Sequence, residues 1–280
     1  MAQLHKLQIE PIVSRALEED WGYGDWTTDL CVQADTISRA KLIAKEDLVV
    51  AGREVVETVF EIVDPRMDLI FNVRNGDQVK KGEEIFSVEG PARSILRSER
   101  VALNFFGRLS GIATMARAFS RELEGTKTQL LDTRKTTPGM RILEKAATVA
   151  GGARNHRFGL CDGVIVKENH IRAAGGIKYA VEKLLESLPP TLKIEVEATT
   201  LDEVQEALDA GADIIMLDNM SVSEMSLAVR TVRGRALLEA SGNVTLANVK
   251  KIAESGVDFI STSACVHSSR WSDVSLLFDV

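Results

Sequence analysis

Cysteine is scarce. Among 280 residues there are three, Cys31, Cys161 and Cys265, odd in number and far apart. No CxxC or CxxH pair occurs, which removes the usual structural zinc site, and a disulfide framework is equally unsupported. A reducing cytoplasm fits that usage. Basic charge is in deficit: Lys plus Arg number 34 against 41 Asp plus Glu, a formal charge of −7. General nucleic-acid binding, which rests on clustered cations meeting phosphates, is therefore not expected. No window approaches the roughly 18 uncharged apolar residues of a membrane span. The opening MAQLHKLQIEPIV has no apolar run and is interrupted by Glu10, so no secretory signal is expected. Low-complexity segments are absent. What is present is ordinary for a globular protein: 45% apolar and 27% charged residues. At about 100–200 residues per domain, the length allows one large domain or two modest ones, and enough core to need no staples.

The rhythm changes along the chain. Residues 9–19 carry Ile9, Ile12, Val13, Ala16 and Leu17 at helical spacing. WGYGDWTTDL then predicts a loop broken by Gly22 and Gly24. Residues 38–50 predict strands, and 54–62 a helix stopped by Asp64-Pro65. The stretch 75–86 predicts a β-hairpin. It superficially resembles a biotinyl or lipoyl carrier, but no Met-Lys-Met or comparable tip lysine follows. Residues 97–122 predict one long helix, with Val101, Phe105, Leu109, Ile112, Ala116 and Phe119 at steps of three and four. Gly107 and Gly111 share a face, where they would admit a close neighbour at a cost in helix propensity.

From about residue 127, strand and helix patterns alternate. Strands are expected at 129–132, 163–167, 193–197, 214–218, 236–239 and 259–262. Helices are expected at 141–150, 177–187, 201–210, 222–232 and 246–255. Apolar strands separated by amphipathic helices predict a parallel sheet covered by helices, and this many units favour a β/α barrel over an open sheet. Every expected strand ends in polar residues. They are Asp132-Thr133-Arg134-Lys135, Lys167, Glu197, Asp218-Asn219, Glu239-Ala240-Ser241-Gly242-Asn243 and Ser261-Thr262-Ser263. In a β/α barrel these ends converge on one face, where active sites sit.

The charges separate by kind. Early units bring cations: Arg134, Lys135, Arg154, His156, Arg157 and Lys167. Guanidinium forks grip carboxylates bidentately, and Lys supplies a compact charge. Middle units bring Glu197 and Asp218, suited to sugar hydroxyls or magnesium. Ser241-Gly242-Asn243 precedes an expected helix, whose free N–H groups and dipole favour a phosphate. The pattern describes a pocket for an anionic substrate with several groups.

Four segments carry a resemblance. They are ERVALN (99–104), RLSGIAT (108–114), DTRKTTPG (132–139) and NHRFGL (155–160), with GYGDWTT near the start. Together and in this order, over nearly the whole chain, they resemble the quinolinate phosphoribosyltransferase family. The resemblance implies an α/β protein: an N-terminal α/β sandwich domain over residues 1–110, joined by the tail 268–280, and an incomplete β/α (TIM-like) barrel over 111–267. It implies that quinolinate and phosphoribosyl pyrophosphate, with magnesium, give nicotinate mononucleotide, carbon dioxide and pyrophosphate, a step in NAD biosynthesis. By motif position, Arg134, His156, Arg157 and Lys167 would hold the two substrate carboxylates, with Thr133 and Lys135 nearby. Glu197 and Asp218 match the ribose and magnesium carboxylates. Ser241, Gly242, Asn243 and Ser263 match the 5′-phosphate loops, and His267 a nearby histidine. Arg100 matches an arginine reaching in from the neighbouring subunit of a homodimer. Lys135, Lys167, Glu197 and Asp218 are the expected catalytic set. Three positions depart from the pattern: Ser263 for glycine, Val266 for threonine, and Ala150-Gly151-Gly152 for three glycines.

Two other readings share these residues. One is a nicotinate phosphoribosyltransferase without decarboxylation, disfavoured by the cations beyond Arg134. The other is an anion-binding paralogue associated with molybdate transport, disfavoured by the intact Lys167 and NHR segment.

Overall fold

The computed structural model describes residues 4–279 and divides into two compact units. The first runs up to Arg117 and adds Thr136–Gly152 and the segment from Ser268; the second is Ala118–Lys135 with Ala153–His267. The first begins with α1 (Lys6–Trp21), α2 (Trp26–Cys31), β1 (Ile37–Ala44), β2 (Leu48–Val49), α3 (Arg53–Val63), β3 (Asp68–Phe71), β4 (Gln78–Val79), β5 (Glu84–Pro91) and α4 (Ala92–Glu122). Then come β6 (Gln129–Leu131), α5 (Arg141–Ala150), β7 (Val164–Val166), α6 (Glu168–Ala174), α7 (Ile177–Ser187), β8 (Ile194–Ala198), α8 (Leu201–Ala210) and β9 (Ile214–Asp218). The chain ends with α9 (Val222–Val232), β10 (Leu237–Ser241), α10 (Val249–Glu254), β11 (Phe259–Ser261), α11 (Ala264–His267) and β12 (Val274–Phe278).

In the first unit, a four-stranded antiparallel sheet has the order β12-β1-β5-β3. Ala40, Leu42 and Ala44 alternate into the core from β1, as a half-buried strand requires. Val55, Val56, Val59 and Phe60 form the buried stripe of α3. Two expectations fail here. Residues 26–31 are helical, because the Asp25 carboxylate accepts the Thr28 N–H at 3.0 Å and caps a turn after the glycine break. Residues 75–86 are not a hairpin: β4 pairs with β2, while β5 pairs with β1 and β3. Turns at Gly76 (φ +93°) and Gly82 (φ +90°) send the chain to different partners.

All six expected apolar positions of the long helix are buried. Gly107 and Gly111 are there because the C-terminal segment crosses that face. The Ser272 N–H donates to the Gly107 carbonyl at 2.9 Å, and β12 then pairs antiparallel with β1. A Cβ on Gly111 would stand 1.9 Å from the Arg270 carbonyl oxygen. Gly111→Ala must displace this backbone, and overpacking of that kind costs about 3 kcal/mol. A clear fall in Tm is expected. An unchanged Tm would mean that the crossing is not tight.

In the second unit, six parallel strands take the order β6-β11-β10-β9-β8-β7. Residues from all six line one cavity of about 430 Å³: Leu131, Val164, Glu195, Ile214, Glu239 and Phe259. Only a sheet curled into a barrel lets six strands share an interior. The barrel is incomplete, because β6 and β7 sit at opposite ends of the strand order. Arg154 makes an isolated parallel bridge to Leu131 beside β6. The Asp132 carboxylate then takes the Asn155 side-chain N–H at 2.6 Å and the His156 backbone N–H at 2.8 Å.

Candidate active site

Strand alternation sorts the barrel residues into layers. On β8, Glu195 and Glu197 face inward while Ile194, Val196 and Ala198 are buried on the other side. On β10, Glu239 and Ser241 share a face. Ser241 is opposite Asp218 of β9 in register. The C-terminal mouth is therefore ringed by Lys167, Glu197, Asp218 and Ser241, with Glu195 and Glu239 one layer deeper. Lys167 follows β7, and its Nζ lies 3.1 Å from Glu197 Oε2. Ser261 Oγ donates to Ser241 Oγ at 3.2 Å.

Thr133, Arg134 and Lys135 follow β6. The Thr133 hydroxyl accepts the Lys135 N–H at 3.0 Å and turns the chain there. Arg157 precedes β7. Its Nη1 donates to the Gly163 carbonyl at 2.8 Å, but its buried Nε has no hydrogen-bond acceptor. Burial, and then the neighbouring Arg134 charge, hold the Arg157 guanidinium below its ordinary pKa. A guanidinium that feels a second positive charge and keeps a buried, unanswered Nε donor suits an anion.

His156 does not sit as expected. Its Nδ1 accepts the Arg157 N–H at 2.6 Å. Its Nε2 lies 3.2 Å from Glu195 Oε2 and 3.5 Å from Glu239 Oε2. Both ring nitrogens thus face protein groups, the Arg157 N–H at Nδ1 and two carboxylates at Nε2. Burial by itself lowers the imidazole pKa. The hydrogen bonds to Glu195 and Glu239 outweigh it and raise the value to about 10. Burial likewise raises the Glu195 carboxyl.

The phosphate end also differs from expectation. The helix expected from 246 starts at Val249 and has six residues. Ser241-Gly242-Asn243 therefore does not abut a helix N-terminus. The cause is local: Asn243 takes φ +50°, its carbonyl accepts the Asn248 side-chain N–H at 2.9 Å, and Asn248 Oδ1 accepts the Thr245 N–H at 2.7 Å. The loop is still tightly made. A Cβ on Gly242 (φ +91°) would meet Asn219 Oδ1 at 2.3 Å, and Asn219 Oδ1 accepts from Asn243 Nδ2 at 2.9 Å. The Ser263 carbonyl accepts the Val266 and His267 N–H groups, both at 3.0 Å, and His267 is exposed at the end of α11. Arg100 lies exposed on α4 of the first unit.

Sequence reasoning missed Glu195 and passed over Glu239 as part of a strand end. The signal was available: in KIEVEA, glutamates at every second residue alternate with aliphatics, so the acidic face of the strand had to turn inward. Among the described residues, His156, Glu195 and Glu239 also have the donor set of a metal site, with ligand atoms within 4.8 Å of one another. The tautomer argues otherwise. With the Arg157 N–H at Nδ1 and two carboxylates holding a proton on Nε2, neither ring nitrogen offers a lone pair to a metal.

Known proteins agree with this architecture. A relative from Synechocystis, named "Probable nicotinate-nucleotide pyrophosphorylase [carboxylating]", is 47% identical over 96% of this chain and 92% of its own length. The tobacco (Nicotiana tabacum) "Quinolinate phosphoribosyltransferase [decarboxylating] 1b" is 41% identical over 97% of this chain and 82% of its own. The solved nicotinate-nucleotide pyrophosphorylase of Francisella tularensis superposes with a TM-score of 0.95 at 39% identity, covering 99% of this chain and 98% of that one. The profile described as "Quinolinate phosphoribosyl transferase, N-terminal domain" matches residues 25–110, and the corresponding C-terminal domain matches residues 112–277. With both profiles satisfied in order, the chain belongs to the quinolinate phosphoribosyl transferase family.

Proposed function

We propose that this chain joins quinolinate to the ribose of phosphoribosyl pyrophosphate and releases carbon dioxide, giving nicotinate mononucleotide and pyrophosphate. The observation that carries the reading is the buried Nε of Arg157, which has no acceptor and feels the Arg134 charge. A pyridine with two adjacent carboxylates answers it better than one with a single carboxylate, which sets nicotinate aside. In this reading Arg134 and Arg157 clamp the carboxylates, with Lys167 and Thr133 beside them and His156 fixing the Arg157 backbone. Lys135 faces the departing pyrophosphate, where a cation stabilises the charge that develops. Holding the ring nitrogen in line with the anomeric carbon supplies most of the rate, since two substrates must be oriented together. The nitrogen, once bonded, draws electrons from the ring and stabilises the carbanion left when the 2-carboxylate departs as carbon dioxide, and that carbon then takes a proton from water to give the product. No protein nucleophile is required, which leaves Cys161 and Cys265 outside the chemistry.

Magnesium is proposed at Glu197 and Asp218. They are hard oxygen donors at the barrel mouth, and two carboxylates fit an ion that keeps waters and substrate oxygens. When bound, it would neutralise charge on the pyrophosphate. Glu197 and Asp218 would otherwise accept from ribose hydroxyls, and the 5′-phosphate would rest on Ser241, Gly242, Asn243 and Ser263, near His267. Arg100 is proposed to serve the site of a second copy in a homodimer. Three unpaired cysteines suit a reducing cytoplasm, and no described helix is long and apolar enough to cross a membrane.

The test is direct. The purified protein is incubated with phosphoribosyl pyrophosphate, magnesium and either quinolinate or nicotinate, and products are separated by chromatography. Nicotinate mononucleotide is expected from quinolinate alone. Product from nicotinate alone would overturn the role given to the guanidinium pair, and product from neither would favour an anion-binding role without catalysis.

A further inference from the structure

The parallel ladder of the barrel stops short of Arg157. Strand β6 pairs with β11 on one side, and on the other it meets an isolated bridge at Arg154 in place of a further strand. Two backbone bonds make that bridge. The Arg154 N–H donates to the Leu130 carbonyl at 2.8 Å, and the Asp132 N–H to the Arg154 carbonyl at 3.0 Å. Arg157 lies three residues beyond it.

The Asp132 side chain carries the attachment onward. Its Oδ2 accepts from Asn155 Nδ2 at 2.6 Å, and its Oδ1 accepts the His156 N–H at 2.8 Å. Asp132 is 1% exposed, so both bonds lie away from water, where hydrogen bonds to a carboxylate hold most firmly. The next residue is Arg157, whose Nη1 is then held by the Gly163 carbonyl. In the other direction Asp132 is followed directly by Thr133, Arg134 and Lys135. One carboxylate thus ties the segment carrying Arg157 to the strand end that leads to Arg134, and the Arg134 charge is felt at Arg157.

A carboxylate is an odd choice so near an anion site, because its charge opposes the ligand. What it supplies is two strong acceptor oxygens in one plane, one for a side-chain amide and one for a backbone N–H. We propose that Asp132 is a positioning residue for the reaction: by holding Asn155 and the His156 N–H, it fixes Arg157 relative to the residues that follow β6, so that adjacent carboxylates on one ring are met together. Asp132 acts through Arg157 and not on the substrate. This rests on the functional reading above.

The experiment is steady-state kinetics on the full chain, with quinolinate and phosphoribosyl pyrophosphate varied in turn and thermal melts on the same preparations. Asp132→Ala removes both bonds. It is expected to raise KM for quinolinate by about tenfold or more, the scale of one lost charge-assisted bond, and to move KM for phosphoribosyl pyrophosphate far less. Asn155→Ala removes one bond, keeps the carboxylate and should raise the same KM by a smaller factor. It decides the matter if Asp132→Ala does not fold. Asn155→Asp sets two carboxylates against each other and should be worse than Asn155→Ala. Adding Asp132→Asn to it exchanges donor and acceptor, since the new amide donates to the new carboxylate while its oxygen still accepts the His156 N–H. Most of the lost quinolinate KM should return in that double variant.

A role confined to folding predicts another pattern, in which kcat and both KM values worsen together with Tm. That pattern would overturn the inference. So would a double variant no better than Asn155→Asp alone, or an unchanged quinolinate KM in Asp132→Ala. A lower quinolinate KM in Asp132→Ala would overturn it by showing that the carboxylate acts through its charge. In each of these cases turnover of quinolinate by wild type leaves the functional reading standing. No turnover by wild type would overturn both.

Discussion

Arg157→Ala is expected to lower kcat/KM for quinolinate by about 100-fold or more, most of it in KM. A charge-assisted hydrogen bond is worth about 1.5–3 kcal/mol, and a bidentate clamp makes two. Arg157 is positioned for this from three directions: its backbone N–H is held by His156, its Nη1 by the Gly163 carbonyl, and its Nε is left without an acceptor. Arg157→Lys should recover only part of the loss, because an ammonium delivers charge without the planar fork. The KM for phosphoribosyl pyrophosphate should move far less. Initial rates with each substrate varied in turn decide it. A loss confined to the phosphoribosyl substrate would place the guanidinium at the wrong end of the pocket.

Much of this was legible because barrel helices carry a strong amphipathic signal. The expected bounds 177–187, 201–210 and 222–232 coincide with α7, α8 and α9, where an apolar stripe every three or four residues meets the sheet. Helix α6 escaped because none of its residues is buried, so it has no stripe to read. α2 escaped because a side-chain cap, not periodicity, starts it. The mouth residues were legible as polar ends of apolar strands. The layer beneath them was not, since a glutamate inside a strand is ordinarily read as exposed, and only the curling of the sheet makes it interior. His156 was legible by residue type as a cation, but its carboxylate partners were not. Its geometry, with a neighbour's N–H on one nitrogen and carboxylates on the other, depends on contacts over tens of residues that no local pattern carries.

The same limit hid Glu144, whose removal should have the largest effect on stability. It lies in the first turn of α5 and is fully buried. Its Oε1 accepts from Arg108 Nε at 3.0 Å, Arg108 Nη2 at 2.7 Å and the Thr137 hydroxyl at 2.8 Å, and its Oε2 accepts the Thr137 N–H at 2.8 Å. Arg108 also reaches Ser269 Oγ at 3.1 Å, so one carboxylate ties α4, the turn before α5 and the C-terminal segment together. Glu144→Ala leaves the half-buried Arg108 without its counter-charge and opens a cavity in the core, at a cost of about 3 kcal/mol or more. In a chain of this size each kcal/mol moves Tm by about 2–4 °C, so a fall of roughly 6–12 °C or more is expected. Replacing both partners, Arg108→Met with Glu144→Leu, should restore most of the Tm, since a buried ion pair exchanged for apolar groups of similar volume is often neutral. Activity should not return with it. Thr137 stands two residues after Lys135, and without Glu144 nothing accepts its N–H. The turn is then free to move, so kcat should stay low in a well-folded double variant. Thermal melts and initial rates on the same preparations separate the outcomes. A double variant with both stability and kcat restored would mean that Glu144 serves the fold and has no part in setting the Lys135 loop.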